Sequence, residues 1–282
     1  MLESAIGVDL GGTKALFVSG THSLRFDTGP AFSSADFAAM LDAFTMSTGV
    51  RPTRIGIAVP GLVDAAGRVV ACDVLPELAG WLPATALSGL GCEIAVVNDV
   101  EAALREELHD APPGLTAGVV MAGTAIGAAF LVDGAPLRGT SGWAGELGYF
   151  SCMVDGQTRR LDEIAGGAAM AARRGVAPAK LAELALAGEP ESLAGIEAGG
   201  SALGMALAAV VNLLNPSRLA LGGGAADLPG YRDAAERAAR QHSIPALWND
   251  CAMVRVAAGE RVVALGALRA AMTPSPHRAA ST

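Results

Sequence analysis

Two short segments of this chain are versions of one another, and their spacing limits the folds open to it more than any other feature. Residues 6–20 read IGVDLGGTKALFVSG: an apolar run, then Asp9-Leu10-Gly11-Gly12-Thr13, then a second apolar run. Two aliphatic, β-branched runs broken by paired glycines fit a β-hairpin whose tight turn presents backbone N–H groups. Such a turn suits a phosphate. The glycines admit the anion to the backbone, Thr13 adds a hydroxyl donor, and Asp9 can hold a magnesium ion directly or through water. Taken alone, the segment is equally an ordinary hairpin with a glycine turn. Residues 118–127, GVVMAGTAIG, change that balance. Gly7, Val8, Gly12 and Thr13 recur as Gly118, Val119, Gly123 and Thr124, at a constant offset of 111 residues from Gly7 to Gly118 and from Thr13 to Thr124. Two strand-turn-strand loops one domain apart predict a duplicated α/β fold with a nucleotide clamped between its halves.

The chain can accommodate that duplication. Its 282 residues suffice for two domains, and with 51% apolar and only 17% charged residues it is not a disordered sequence. A net charge of −8 argues against a nucleic-acid-binding surface. Cys72, Cys92, Cys152 and Cys251 show no C-x-x-C spacing, which suits a reducing compartment and indicates neither a disulfide framework nor a metal cluster. The opening MLESAIGVDL lacks a basic segment followed by a long apolar core, so no signal peptide is expected. Residues 111–132 and 198–217 are uncharged over the length of a membrane span. The first holds Pro112, Pro113 and four glycines and contains the second loop; the second reads as a buried alanine-rich helix. No membrane partner is expected, and a cytoplasmic location is.

Further along the chain, residues 34–46 have apolar positions at helical spacing behind serine caps. Residues 54–59 form a strand running into Pro60-Gly61, a sharp turn that either lines a cleft or is structural. Residues 93–97 form a buried strand followed by Asn98-Asp99 and a helix over 100–109. Helix capping accounts for one residue of that pair, and the carboxyl ends of strands are also where α/β sheets hold ligands. Ala111-Pro112-Pro113-Gly114 marks the boundary between halves, giving domains over 1–112 and 113–261, with a disordered tail over 273–282. Glu146 lies among the four glycines of residues 139–149, where hydrogen bonds to substrate hydroxyls compete with a structural turn. The helix over 191–214 has Gly200 and Gly204 for close approach of a neighbour. Gly222-Gly223-Gly224, after a strand over 218–221, lets backbone lie flat against a planar ligand such as adenine.

In this order, DLGGT, PGLVD, the Asn-Asp pair, AGTAIG, GELG and NLLNPSRLALGGG resemble the motif set of the ROK sugar kinases, of the actin, sugar kinase and Hsp70 superfamily. The resemblance runs from about residue 7 to residue 272. It implies a two-lobed, ribonuclease H-like (actin-like ATPase) α/β fold with duplicated mixed sheets and an interlobe cleft, the helix over 262–272 completing the first lobe. It also implies ATP-dependent phosphorylation of a hexose, amino sugar or related sugar with Mg2+, the donor standing open between ATP, another nucleoside triphosphate and polyphosphate. Asp9, Gly11, Gly12, Thr13 and Lys14 would form the first phosphate loop, with the metal at Asp9, and Gly123 and Thr124 the second. Gly222, Gly223 and Gly224 would flank the adenosine. Pro60, Gly61, Asn98, Asp99, Glu146, Tyr149 and Asp162 would hold the sugar, with Asp99 as the general base taking the proton from the attacking hydroxyl, usually O6. The family is often homodimeric.

The chain departs from the family at several of these positions. Tyr149 stands where the family has histidine, and only Cys152 remains of its zinc cysteines, so no zinc is expected. Asp162 replaces a glutamate, Val74 an asparagine, and Ala125 and Ala129 two glycines. Sites built to bond hydroxyls reject analogues by factors of roughly 10⁴, so these losses shift the expectation from glucose toward an amino sugar, deoxy sugar or polyol. The alternative is a non-catalytic sugar-binding or regulatory protein on the same fold. ROK repressors carry an N-terminal helix-turn-helix, whereas this chain enters its first strand within about five residues. A dinucleotide-dependent oxidoreductase is disfavoured, because neither loop is a G-x-G-x-x-G opening a helix.

Overall fold

The computed structural model describes residues 4–154 and 156–273. These form two compact units, one drawn from residues 4–109, 139–143 and 260–273, the other from 110–138 and 144–259. The tail expected over 273–282 lies, from residue 274 on, outside the described residues.

The first unit contains β1 (Ala5–Leu10), β2 (Lys14–Ser19), β3 (His22–Asp27), α1 (Ser34–Thr48), β4 (Arg54–Val59), β5 (Leu62–Val63), β6 (Val69–Ala71), α2 (Pro83–Ala86), β7 (Glu93–Asn98) and α3 (Asp99–Glu107). Its main sheet has the order β3-β2-β1-β4-β7, with β5 and β6 pairing separately. The β1-β2-β3 meander is antiparallel, while β1, β4 and β7 run parallel. Strands β1 and β4 are almost wholly buried, as central parallel strands are, whereas the edge strand β3 alternates exposed and partly buried residues. Helix α1 opens on a Ser33–Asp36 capping box and closes on Gly49 at φ 71°. Phe17 meets Phe26 edge-on at 5.3 Å between ring centroids, and Phe37 meets Trp81 likewise at 5.1 Å.

The second unit repeats the plan. It contains β8 (Ala117–Ala122), β9 (Ile126–Val132), β10 (Ala135–Pro136), β11 (Ser151–Val154), β12 (Gln157–Arg160), α4 (Asp162–Ala165), α5 (Gly167–Arg174), α6 (Pro178–Leu186), α7 (Pro190–Leu214), β13 (Arg218–Gly222), α8 (Tyr231–His242), α9 (Pro245–Asp250) and β14 (Ala252–Arg255). The sheet order β10-β9-β8-β13-β14 copies the first in both sequence and sense, an antiparallel meander followed by parallel strands. Among the described residues, α7 is the one helix long and apolar enough to cross a membrane, and 61% of its most apolar stretch is buried. Its Gly200 and Gly204 lie against α8, where an added Cβ would stand 2.2 Å from the carbonyls of Tyr231 and Ala235. The pair therefore works as a core contact.

The last helix, α10 (Val262–Met272), returns to the first unit and packs on β1, β4 and α3. Glycine permits this. A Cβ at Gly7 would sit 2.1 Å from the Ala264 carbonyl, at Gly56 1.8 Å from that of Ala267, and at Gly266 1.7 Å from that of Ala102. Arg269 then pairs with Glu106 at the helix's outer side. Gly56→Ala is expected to force α10 off the sheet and destabilise the protein by about 2 kcal/mol or more. That corresponds to a fall in Tm of roughly 4–8 °C by calorimetry. Gly89→Ala, with nothing within 4 Å of the added carbon, should change stability by less than about 0.5 kcal/mol. Equal effects would contradict the packing described.

Candidate active site

In the first unit, the residues singled out from the sequence collect at the carboxyl ends of the three parallel strands. Asp9 lies near the end of β1, Pro60-Gly61 follow β4, and Asn98 ends β7. The β1–β2 turn is closed by Gly11 N–H donating to the Lys14 carbonyl at 2.9 Å. Thr28 pins it from β3's side: its hydroxyl donates to the Gly11 carbonyl at 2.6 Å, and its N–H to the Thr13 carbonyl at 3.0 Å. Thr13 and Lys14 are exposed at the turn's rim. Val74 packs on the other side, 3.1 Å from where a Gly12 Cβ would be. The position that resembles a polar sugar contact thus presents methyl groups to the loop.

Asn98 caps α3, its Oδ1 accepting from Val100 N–H at 2.8 Å and Glu101 N–H at 3.3 Å. Its amide nitrogen also donates to the Gly61 carbonyl at 3.1 Å, so one side chain ties the helix start to the Pro60-Gly61 turn. Gly61 faces the end of β6 so closely that a Cβ would stand 2.2 Å from the Ala71 carbonyl. The buried Cys72 thiol donates to the Pro60 carbonyl at 3.5 Å, and burial, with smaller contributions from Asp99 and Asp73, holds its pKa up. Trp143 adds a bond from its indole N–H to the Val63 carbonyl at 3.2 Å.

Asp99 opens α3 and accepts from Val100 N–H at 2.9 Å. It is close enough to Asp9 for the two charges to interact. Burial, reinforced by Asp99 and opposed by Lys14, pushes the Asp9 carboxyl up to about 7. Desolvation first, and the neighbouring carboxylate second, thus keep the Asp9 carboxyl from ionising.

In the second unit, the turn at Gly123-Thr124 is one residue tighter, Gly123 N–H donating to the Ala125 carbonyl at 3.0 Å. Thr124 is exposed. The start of α5 docks on this loop, Gly167 N–H donating to the Gly123 carbonyl at 2.8 Å. Gly222-Gly223-Gly224 leave the end of β13, the strand parallel to β8. Gly223 has φ 94° and lies where a Cβ would meet the Ala122 carbonyl at 2.4 Å, while Gly224 opens onto free space.

The acceptor-side candidates also gather here. Glu146 precedes a 3₁₀ turn at Leu147–Tyr149; it is exposed, and desolvation of its carboxyl followed by the Asp162 charge raises its pKa. Asp162 begins α4, its Oδ1 accepting from Ile126 N–H at 2.6 Å. Tyr149 is exposed and carries the Arg160 guanidinium 4.7 Å over its ring, with Arg160 held in turn by Glu163. Cys152 is buried in β11. Thr28 and the Asp162–Ile126 bond escape a reading of the sequence, because both join residues far apart in the chain and neither belongs to a local pattern.

Two copies of one mixed sheet, each opening a glycine-threonine turn, define an α/β fold of the actin-like ATPase, ribonuclease H-like type. The ROK family model matches residues 5–273. The chain is 30% identical over 250 residues to kanosamine kinase of Amycolatopsis mediterranei, covering 79% of this chain and 82% of that one. It resembles the crystal structure of the ROK hexokinase of Thermus thermophilus with a TM-score of 0.77 at 26% identity, covering 95% of this chain and 97% of the other. A ROK glucokinase from Streptomyces griseus, solved with glucose and AMPPNP, shares the fold with a TM-score of 0.80 at 22% identity over 95% and 99% of the two chains. The chain belongs to the ROK family.

The Asp9 environment has a consequence for stability. Between about pH 4 and 7 an unfolded Asp9 is ionised while the folded one still holds its proton, so folding loses stability as pH rises through that window. In metal-free, nucleotide-free buffer, Asp9→Asn should be more stable than the parent by about 1–3 kcal/mol at pH 8 and indistinguishable from it at pH 4. Thermal unfolding across that range measures the difference, and parallel curves would refute the assignment.

Proposed function

We propose that this protein transfers the γ-phosphate of ATP to a hydroxyl, O6 by expectation, of an amino sugar or related hexose, with Asp99 as the base. The chain is a sugar kinase of the ROK family by family match and fold. The observation that carries the finer reading is the placement of Asp9 and Asp99 at the carboxyl ends of β1 and β7, beside a turn that offers backbone N–H groups.

Phosphoryl transfer asks a protein mainly for positioning and charge neutralisation. Gly11, Gly12, Thr13 and Lys14 would receive phosphate oxygens in the first unit, and Gly123 with Thr124 in the second. Gly222, Gly223 and Gly224 would lie along the adenosine. Asp9 would hold Mg2+, which neutralises phosphate charge when bound, and the carboxyl's burial beside Asp99 fits that donor role. Asp99 would accept the proton of the attacking hydroxyl, while Asn98, Pro60, Gly61, Glu146 and Tyr149 orient the acceptor. An amino sugar is favoured over glucose by the methyl groups of Val74 in place of a polar contact and by the similarity to kanosamine kinase. A reaction that draws on ATP fits a cytoplasmic location.

Purified protein with Mg-ATP and a panel of hexoses, hexosamines and N-acetylhexosamines tests this reading through coupled detection of ADP. At least one amino sugar should support turnover. Asp99→Ala should lower kcat by about 10²–10⁴-fold with nucleotide affinity nearly unchanged. No sugar-dependent ADP across the panel would refute kinase activity, and sugar binding without turnover would favour the non-catalytic alternative.

A further inference from the structure

From the geometry around Asp162 we infer that this residue is a positioning residue, setting the second phosphate loop against the Glu146 turn. Family resemblance puts it among the sugar contacts, but its surroundings in this chain give its carboxylate another task. Oδ1 accepts from Ile126 N–H at 2.6 Å. Ile126 is the first residue of β9, directly after Gly123-Thr124-Ala125.

The same carboxylate also faces the turn that follows Glu146. A Cβ at Gly148 would stand 2.4 Å from Asp162 Oδ1 and 2.5 Å from the Ile126 carbonyl, so Gly148 is wedged between the two partners of that bond. Only a residue without a side chain fits there. The Asp162 backbone reaches the loop by a second route. Gly166 N–H donates to the Asp162 carbonyl at 3.2 Å, and the next two residues donate to the loop itself, Gly167 to the Gly123 carbonyl at 2.8 Å and Ala168 to the Thr124 carbonyl at 3.3 Å. Behind α4, the buried Tyr231 hydroxyl donates to the Ala165 carbonyl at 2.8 Å and fixes the helix to the core. Asp162 therefore joins three segments, the Gly123-Thr124 loop, the Glu146 turn and the start of α5.

Removing the bond frees the Ile126 amide, and losing about 1.4 kcal/mol there corresponds to a tenfold change in opening. Amide hydrogen exchange on the full chain, read by mass spectrometry over residues 123–127, should speed up about tenfold in Asp162→Ala. It should stay within about threefold of the parent in Asp162→Asn, whose Oδ1 still accepts the bond. Should Asp162→Ala not fold, Gly148→Ala must displace the same carboxylate and should accelerate the same amides.

A second arm rests on the kinase reading. Calorimetric affinity for a Mg2+-bound, non-hydrolysable ATP analogue, without sugar, should weaken about tenfold in Asp162→Ala and less than threefold in Asp162→Asn. Unchanged exchange over 123–127 in Asp162→Ala would overturn the assignment, as would equal acceleration in the alanine and asparagine variants. Failure of the parent chain to bind the analogue would count against the kinase reading alone, and the exchange result would still decide the role of Asp162.

Discussion

Two carboxylates that repel one another set the terms for the first unit. Asp9 and Asp99 end strands separated by one other strand, and burial of Asp9 would be prohibitive if both were fully charged with nothing opposing them. The fold meets this in several ways. Lys14 lies across the turn, Asp9 keeps its proton up to about 7, and Asp99 opens α3, where a helix N-terminus favours a carboxylate. The Asn98 side chain then fixes the angle between that helix and the Pro60-Gly61 turn. The proposed magnesium site at Asp9 would relieve this repulsion.

The duplicated second sheet shows what happens when the acid is absent. Strand β8 has the length and burial pattern of β1, and Met121 stands in it where Asp9 stands in β1. The glycine and threonine of the turn remain. One copy therefore keeps the backbone donors and the carboxylate, while the other keeps the donors alone and adds the glycine-rich exit of β13. Elsewhere both units rely on close backbone contact. Glycine brings α10 onto β1, β4 and α3, and α7 onto α8, so a chain with few aromatic side chains still builds dense cores.

Features that depend on local chemistry were legible in the sequence. The paired turns could be read because tight, anion-receptive backbone demands glycine at fixed positions, and β1, β4 and β8 because buried parallel strands are continuous apolar runs. Helix α1 followed from periodicity and caps, while Gly166 and Gly175 separate α4, α5 and α6. The β5–β6 and β11–β12 pairs and α9 carried too few residues to show a period. Thr28 and Asp162 were opaque for another reason: their partners lie 17 and 36 residues away, and only the closed sheet brings them together. The local setting marked Asn98-Asp99 and Glu146 as candidate ligand contacts, while the role of Asp99 as general base came from the resemblance alone.

The most direct test of the central claim is an experimental structure of the protein with Mg2+, a non-hydrolysable ATP analogue and the sugar that supports the fastest turnover. The metal should lie on Asp9 and the acceptor hydroxyl within hydrogen-bond distance, about 2.6–3.2 Å, of the Asp99 carboxylate. An acceptor hydroxyl directed at another group, with Asp99 bonded only to the start of α3, would contradict that claim.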